Sequence, residues 1–345
     1  MVKSASELLA ELDSAIKGIT DISELGDSIL QAQKFDQFVR QMEDNAVVLS
    51  ESRFLPMESH IADIDRVGFS GRILRGGELP NGDHVDLDES EFATVSTATN
   101  TLTAKELHAV TSLRDRALRR NIERGGFEDT LISLFGEAAG RDFEEYALLG
   151  DTANTDDDVL QLTDGWVKRA GQRVFGGGSD FDPTSTDADG DPDWVESMFA
   201  SMIDALPKRF LQNVTDWRFY VTFEMLVNYR RQLKKRQTDL GDQNIGNFPT
   251  ASSVFEGIPV VYAPLLERAQ GPTADEVGGR LALLTNPDNM VWGVFHEVTI
   301  EREREAKARR TDFVLSFEGD ADYEDEAAAV AAFVDYDDFS TPTGS

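Results

Sequence analysis

The stretch that most resembles a metal-binding motif in the sequence is STDADGDPDWVE, which runs from residue 185 to residue 196. Aligned with a twelve-residue calcium-binding loop, this stretch places carboxylates at positions three, five, nine and twelve, and a glycine at position six. The four carboxylates belong to Asp187, Asp189, Asp193 and Glu196. Two interpretations stay open. Ser185 stands at position one instead of aspartate, which favours a solvated acidic loop, whereas the spacing of the carboxylates favours a divalent-cation site.

The sequence contains no other residue set with the spacing of a catalytic site. It has no cysteine, which excludes thiolate nucleophiles, disulfides and zinc–thiolate centres. Its four histidines are far apart and fit neither a metal-ligand nor a catalytic-triad spacing; they are His60, His84, His108 and His296. Carboxylate pairs are so frequent that none stands out as an acid and base pair. We therefore predict that the protein is not an enzyme and has no cofactor other than the candidate divalent cation.

The charge composition is strongly acidic. The 345 residues include 64 aspartates and glutamates against 33 lysines and arginines, which gives a formal net charge of -31. Dispersed carboxylates with little lysine are expected of proteins that remain soluble in molar salt, where self-repulsion is screened. We predict a halophilic protein, with an acidic protein adapted to ordinary salt as the alternative. In either case so negative a surface is a poor general binder of DNA.

The positive charge is concentrated at residues 114–124, 228–236 and 301–310. One explanation is a nucleic-acid surface, and the other is close pairing with carboxylates of the same chain or of neighbouring chains. In molar salt the Debye length falls to ~3 Å, so long-range steering is lost whereas short arginine–carboxylate contacts survive. Subunit contacts are therefore favoured. We predict that they involve Arg116, Arg119, Arg120, Arg230, Arg231, Lys234, Lys235 and Arg236.

The first half of the chain contains sequence patterns typical of helices and of strands. Two short amphipathic helices are predicted before residue 43, because apolar residues recur there at helical spacing. Residues 61–113 contain two strand-like segments joined by a polar, turn-rich tip, which predicts a long ribbon that needs a partner surface. A helix of about 22 residues follows and would span roughly 33 Å. It is predicted to end at Gly150, and its apolar stripe consists of Leu131, Phe135, Ala138, Phe143, Tyr146 and Leu149.

Further elements are predicted in the second half of the chain. WVESMFASMIDAL has the pattern of a helix, and GIPVVYAPLL that of a short buried strand. Alternating apolar residues predict a strand that contains Trp217, Phe219, Val221 and Phe223. Thr222 can begin a helix that leads into the basic segment, and VWGVFHEVTIERE and TDFVLSFEG are predicted to form a strand pair. No apolar run approaches the ~18 to 20 residues of a membrane span.

Five stretches follow one another in an informative order. The run from residue 101 to residue 151 joins a strand end to the long helix, and LTDGWVKRA comes soon after. LPKRFLQNVTDWRFYVTFEMLVNYRRQL then gives a helix, a tryptophan-bearing strand and a basic helix. FEGIPVVYAPLL and NPDNMVWGVFHEVTIERE complete the order. From about residue 53 to residue 335 the chain resembles the major capsid proteins of tailed phages and of tailed archaeal viruses, including those of haloarchaea. That fold is shared with herpesvirus capsid floors and encapsulins.

The resemblance implies an α+β fold with four parts. These are an N-terminal arm, an extended β-hairpin loop, a peripheral domain with a long spine helix, and an axial domain. The implied boundaries are 1–55 for the arm, 56–108 for the extended loop, 109–175 and 290–340 for the peripheral domain, 176–289 for the axial domain, and 341–345 for a tail.

The resemblance also implies a structural role in the virion. Copies of the chain would assemble in the host cytoplasm into pentamers and hexamers, and these into an icosahedral shell that encloses double-stranded DNA without sequence-specific binding. Other partners would be a portal and decoration or turret proteins, with no membrane. Some family members cross-link a loop lysine to a neighbouring subunit, but this chain has no lysine between Lys34 and Lys105. We therefore expect no covalent cross-links, and the short segment before the loop predicts no proteolytic removal of a scaffolding region.

Two other functions stay open at this point. An encapsulin-type nanocompartment shell would have the same fold and would enclose a cargo enzyme instead of DNA. A soluble halophilic enzyme or divalent-ion-binding protein would use the carboxylates of residues 185–196 and would form a small, compact particle.

Overall fold

The computed structural model describes most of the chain between residues 46 and 335. The described residues are 46–70, 73–74, 94–114, 127–155, 157–177, 180–187, 190–211, 213–235, 253–268, 280–295, 299–305 and 307–335. The two predicted N-terminal helices and the predicted ribbon tip lie outside them. The chain divides into two compact units. The first comprises Met1–Ala46, His108–Asp142 and His296–Phe317, and the second comprises Val47–Leu107, Phe143–Phe295 and Glu318–Ser345.

The described elements combine helices with sheets, and the predicted α+β class is confirmed. The strands are β1 (Arg53–Met57), β2 (Ile61–Ser70), β3 (Thr94–Thr103), β4 (Lys105–Arg114), β5 (Gln172–Phe175), β6 (Arg218–Val221), β7 (Ser253–Phe255), β8 (Ile258–Tyr262), β9 (Leu281–Thr285), β10 (Met290–Phe295), β11 (Thr299–Glu305), β12 (Arg310–Tyr323) and β13 (Ala329–Phe333). The helices are α1 (Phe127–Leu149), α2 (Trp166–Arg169), α3 (Trp194–Ala205) and α4 (Phe223–Lys235).

Helix α1 is the long helix that the sequence predicts. It has 23 residues, and three members of its predicted apolar stripe are buried in the second unit: Phe143, Tyr146 and Leu149. The helix ends at Gly150, where a side chain has no room. A Cβ atom on Gly150 would lie 2.6 Å from the carbonyl oxygen of Thr163. The predicted stop at this glycine is therefore confirmed, and close packing excludes a side chain at this position.

In the first unit, β11 and β12 form an antiparallel pair. Its register runs from Thr299 opposite Ser316 to Glu305 opposite Arg310. Strand β4 also pairs with β12, and the Nδ1 atom of His108 lies 3.0 Å from the Oγ atom of Ser316. Alternate side chains along this part of β12 are buried, as period-two patterning predicts. They are Phe313, Leu315 and Phe317.

Three predicted elements have different limits in the structure. VWGVFHEVTIERE forms two strands, β10 and β11, and both pair antiparallel with β12. The second ribbon segment is divided at Ala104 into β3 and β4, so only its first part belongs to the ribbon. Phe223 opens helix α4 instead of ending strand β6. Its side chain is exposed, which is why the alternation of β6 does not extend to it.

In the second unit, β2 and β3 form the predicted two-stranded ribbon. The register runs from Ile61 opposite Thr103 to Ser70 opposite Thr94. At its base, a small apolar cluster anchors the ribbon beside β1, which pairs parallel with β10. This cluster contains Met57, Ile64, Leu102 and Val291. The described end of the ribbon therefore rests on its own unit.

The second unit is built around a six-stranded sheet with the order β5-β13-β9-β6-β8-β7. Helices α3 and α4 contribute to its main core, whose largest buried side chains include Trp194, Phe199, Phe219 and Tyr229. Strand β13, with the sequence AVAAF, is buried at every position between β5 and β9. The sequence did not predict it, because alanine favours helices and a fully buried strand shows no alternation. The sheet includes strands from both ranges assigned to the peripheral and axial domains, and those domain boundaries stay a prediction.

Candidate subunit-contact site

The predicted contact residues that the structure describes all lie on helix α4. They are Arg230, Arg231, Lys234 and Lys235. The other predicted positions lie outside the described residues. They are Arg116, Arg119, Arg120 and Arg236 of the basic segments and Asp189 of the candidate calcium loop.

Helix α4 is amphipathic, and its two faces have different surroundings. One face is buried in the core of the second unit through Met225, Leu226 and Tyr229. The opposite face follows the helical spacing i, i+4, i+8 and i+11. It carries Phe223, Val227, Arg231 and Lys234. This outward face is apolar at its start and basic at its end, and of its residue types arginine and phenylalanine are enriched at protein interfaces whereas lysine is depleted.

Arg230 belongs to the inner side of α4 instead of the outward face. Its Nε atom donates a hydrogen bond to the Oγ atom of Ser253 at 3.0 Å. The hydroxyl group of Tyr229 donates to the carbonyl oxygen of Val254 at 2.8 Å. Both bonds hold the helix on β7, the edge strand of the sheet. The guanidinium group of Arg230 therefore makes a structural contact within its own chain.

Lys235 is also engaged within the chain. Its ammonium nitrogen lies 2.5 Å from a carboxylate oxygen of Asp187 and 2.6 Å from one of Asp191. The hydrogen bonds that the ammonium group donates to Asp187 and then to Asp191 raise the pKa of Lys235 well above its ordinary value. Part of the basic segment thus pairs with carboxylates of its own chain, which is one of the arrangements considered from the sequence.

The candidate calcium loop contains this same Asp187. The carboxylate of Asp187 also accepts a hydrogen bond from the backbone N–H of Asp191 at 3.0 Å, across a turn in which Gly190 has a φ of 84°. Asp193 accepts a hydrogen bond from the hydroxyl of Ser185. Among the described residues, no three histidine, aspartate or glutamate side chains are grouped so that they could hold a metal ion. The four-carboxylate site stays a prediction, since one of its members is not described.

Arg231 differs from these two neighbours, because it is exposed and lines a cleft of about 640 Å³. The apolar part of the cleft is formed by Phe223, Val227 and Leu266. Phe223 is 57% exposed, and its ring meets that of Tyr262 edge to face at 5.7 Å between centroids. Arginine and aromatic side chains are both enriched at protein interfaces, and both line this cleft.

The rim of this cleft is polar, and its charged side chains form ion pairs and hydrogen bonds. The Nη2 atom of Arg280 lies 2.8 Å from an oxygen of Asp335, and its Nη1 atom lies 3.6 Å from Glu224. Partial burial alone would raise the pKa of Asp335, but hydrogen bonds from Arg280 outweigh burial and lower it. The backbone N–H of Phe223 donates to the carboxylate of Glu267 at 3.0 Å, which occupies the positive end of helix α4.

A second group of interacting residues lies at the base of the ribbon, called here the ribbon root. The sequence did not predict it. The buried carboxylate of Asp320 accepts a hydrogen bond from the backbone N–H of Thr103 at 2.8 Å. The side-chain amide of Asn100 donates to the carbonyl oxygen of Tyr323 at 2.7 Å. Burial raises the pKa of Asp320 above its ordinary value. No local pattern could have shown these contacts, because they join residues more than 200 positions apart.

A third group of residues connects the start of the described chain to helix α1 by hydrogen bonds. Glu144 is 2% exposed, and its two carboxylate oxygens accept hydrogen bonds from the backbone N–H groups of Val47 and Val48, each at 3.0 Å. The hydroxyl of Tyr220 donates to Glu51 at 2.7 Å. Burial raises the pKa of Glu144 in spite of these two backbone hydrogen bonds. A glutamate within a run of apolar helix positions is the sequence signal that could have drawn attention to this group.

No family model matches the sequence. A curated protein of Bacillus subtilis (strain 168), named "Putative prophage capsid protein YqbE", is 28% identical over 303 residues, which cover 87% of this chain and 90% of the relative. The satellite phage P4 procapsid structure matches with a TM-score of 0.60 at 15% identity, over 88% of this chain and 92% of the other. This chain has the fold of phage major capsid proteins.

The capsid fold recurs in a second solved structure, the capsid of an empty GTA particle. That match has a TM-score of 0.53 at 14% identity and covers 84% of this chain and 89% of the other. The predicted fold class is therefore confirmed, and the similar proteins are structural capsid proteins instead of enzymes. Among the described helices, none is both long and apolar enough to cross a membrane.

Proposed function

We propose that this chain is the major capsid protein of a tailed virus. Copies of it would form pentamers and hexamers that close into an icosahedral shell around double-stranded DNA. The observation that carries the proposal is the capsid fold over nearly the whole chain, together with a capsid-named relative that covers 87% of it. The role is structural and not enzymatic.

The described surfaces support self-assembly. A two-stranded ribbon is marginally stable by itself, and the base of this ribbon is anchored on its own unit by an apolar cluster. In the shell, a neighbouring subunit would supply further support. The outward face of α4 presents an exposed Phe223 and an exposed Arg231 beside a cleft. We assign the arm to residues 1–55, the extended loop to 56–108, the peripheral domain to 109–175 and 290–340, and the axial domain to 176–289.

The charge of the chain sets limits on its other partners. With a net charge of -31, the shell would enclose DNA without sequence-specific contacts. The protein would be assembled in the host cytoplasm and found in the virion, together with a portal and with decoration or turret proteins. The acidic composition supports a host that lives in molar salt, such as a haloarchaeon.

Electron microscopy of the purified protein tests the proposal. The full chain is expressed without other viral proteins and examined by negative stain in molar salt and again after dialysis to low salt. Closed polyhedral shells in molar salt are the expected result. Particles of the 38.2 kDa monomer under every condition would contradict it.

Analysis of virions purified from an infected host shows whether the shell encloses DNA or a cargo enzyme. Shells that contain nuclease-protected DNA agree with the proposal. Shells of this chain that contain a cargo enzyme and no DNA would show a nanocompartment instead.

A further inference from the structure

Two exposed side chains of the second unit, which carry opposite charges, have no ionic partner among the described residues. Arg231 is exposed on the outward face of α4, and Glu256 is exposed at the turn between β7 and β8. Each lies near an exposed apolar side chain. Phe223, on the same helix face as Arg231, is 57% exposed, and Val254, two residues before Glu256, is 44% exposed.

The lack of a partner distinguishes Arg231 from most arginines in this unit. Apart from Arg209, each of the other arginines described there contacts a carboxylate, a hydroxyl or a backbone carbonyl oxygen. They are Arg53, Arg66, Arg169, Arg173, Arg218, Arg230, Arg268 and Arg280. In a chain with nearly twice as many acids as bases, Arg231 has neither a carboxylate nor an aromatic ring as a partner among the described residues, so its guanidinium group is available to a carboxylate of another molecule.

The turn that carries Glu256 is unusual in its backbone. Glu256 has a φ of 48° and Gly257 a φ of 91°, so both residues are in the left-handed region. A two-residue hairpin turn of this kind normally uses asparagine, aspartate or glycine at its first position, since other side chains are strained there. Glutamate at this position, exposed and beside Val254, indicates that its side chain has a use other than forming the turn.

Contacts within one copy fix the positions of the two groups. Hydrogen bonds from Tyr229 to Val254 and from Arg230 to Ser253 fix α4 against β7, and the hairpin follows directly from that strand. In this fixed arrangement Arg231 and Glu256 form no ion pair. A second copy of the chain can supply the missing partner of each.

We propose that Arg231 and Phe223 of one copy receive Glu256 and Val254 of the next copy around a capsomer. This inference rests on the proposed capsid function and adds the residues of one contact between subunits. The charges are complementary, and each is accompanied by an apolar side chain that can be buried at the centre of the contact. Because the two patches differ, the contact is heterologous and repeats from copy to copy until a ring closes.

Charge reversal tests the pairing. R231E and E256R each place two like charges opposite one another, so each is expected to reduce capsomer yield at least about tenfold, as measured by native mass spectrometry or sedimentation. The double variant R231E/E256R restores the attraction with reversed sign, and its yield is expected within about threefold of wild type. R209E is the matched control. Arg209 is exposed and lies over the ring of its neighbour Phe210, and its reversal is expected to leave the yield unchanged.

The outcomes separate this inference from the proposed function. Wild-type shells together with normal assembly of R231E and E256R would overturn the inference and leave the capsid function intact. Loss of assembly in both single variants without recovery in the double variant would also overturn it. If the wild-type chain forms no shells in molar salt, the capsid function and this inference fail together.

Cross-linking gives a second measurement that is independent of assembly yield. The chain has no cysteine, so the double variant R231C/E256C contains only the two introduced thiols. Arginine and glutamate in an ion pair keep their backbones further apart than the ~7 Å limit for a disulfide, so a short bismaleimide linker is used. A ladder of covalent oligomers is expected from assembled R231C/E256C, and dimers at most from either single variant. Monomers alone would overturn the pairing.

Discussion

The backbone N–H of Gly165 donates a hydrogen bond to the carbonyl oxygen of Gly150 at 2.7 Å, so the end of α1 and the start of α2 meet backbone to backbone. A Cβ atom on Gly165 would lie 2.6 Å from the nitrogen of Gly150. The next residue, Trp166, is fully buried, and its indole N–H donates to the carbonyl oxygen of Asp322 at 3.0 Å. The two glycines therefore determine how closely the buried tryptophan approaches the end of the long helix.

Replacing Gly165 with alanine should lower the free energy of unfolding by about 2–4 kcal/mol, because the added methyl group meets backbone atoms that cannot rotate away. Urea unfolding of the unassembled protein measures this loss. Gly190→Ala is the control, since no atom lies within 4 Å of a Cβ there and only its φ of 84° is unfavourable. We expect a cost of about 1 kcal/mol for the control. Equal losses at both positions would contradict the importance of the close contact.

Replacing Glu144 with alanine should expose the start of the described chain. The substitution leaves the N–H groups of Val47 and Val48 without their acceptors, which costs about 2–4 kcal/mol. Limited proteolysis should then cut near these residues before it cuts the core. The control is Glu137→Ala on the exposed side of the same helix, which should change neither stability nor the cleavage pattern.

The isosteric variant Glu144→Gln has a different pH dependence from wild type. Burial raises the folded-state pKa of Glu144 above the ordinary value of 4.5, so the folded protein holds a proton that the unfolded chain has released. Stability from this group is therefore greatest below pH 4.5 and is lost as the pH rises through the folded pKa. Glutamine does not titrate. The stability difference between wild type and the variant should shift against wild type as the pH rises from 4 towards 7, and a constant difference would contradict the raised pKa.

How much could be predicted from the sequence depends on whether a contact is local. Helix α4 shows both cases. Helical spacing places Arg231 with Phe223 and Val227, and Arg230 one turn from the buried Leu226, so the two arginines could have been assigned to different faces. The partner of Arg230, Ser253, lies 23 residues away and could not have been predicted, because only the folded sheet brings it close.

Strand β13 and the ribbon root show why other features were missed. Periodicity identifies elements with one buried face, and it found α1, α3 and the ribbon. AVAAF of β13 is buried on both faces and has no alternation to detect. The contact between Asp320 and Thr103 depends on the order of strands, which residue spacing does not encode.

The ribbon root should loosen when Asp320 is replaced with alanine. The N–H of Thr103 then loses its buried acceptor, at a cost of about 1–3 kcal/mol, and amide exchange at residues 100–103 should accelerate roughly 5- to 150-fold. Asp65→Ala is the matched control on the exposed face of the ribbon, where Asp65 accepts a hydrogen bond from Thr99 at 2.8 Å. Its expected effect is below about 0.5 kcal/mol. Similar acceleration in both variants would show that Asp320 does not anchor the ribbon.

The ion pair of Arg280 and Asp335 should stabilise the unit only while Asp335 is charged. Hydrogen bonds from Arg280 lower the folded-state pKa of Asp335 below 3.8, so the stabilisation is present above that pH and is lost as the pH falls through the folded pKa. Arg280→Met should cost at most about 1 kcal/mol at neutral pH, because the pair is partly exposed. Unfolding at pH 7 and at pH 3 measures the change. A cost that is the same at both values would assign the effect to the contact between the guanidinium group of Arg280 and the ring of Trp194.

Salt should stabilise this protein more than a neutral osmolyte does, if its acidic composition is an adaptation to molar salt. A net charge of -31 makes the folded chain repel itself, and this repulsion is screened when the Debye length falls to ~3 Å at about 1 M salt. The melting temperature should therefore rise by several degrees between about 0.2 M and about 3 M KCl, with most of the change at the lower concentrations. Sucrose of equal osmolality also favours the compact state but screens no charge, so it provides the control. Equal shifts in KCl and sucrose would contradict a halophilic protein and favour an acidic protein adapted to ordinary salt.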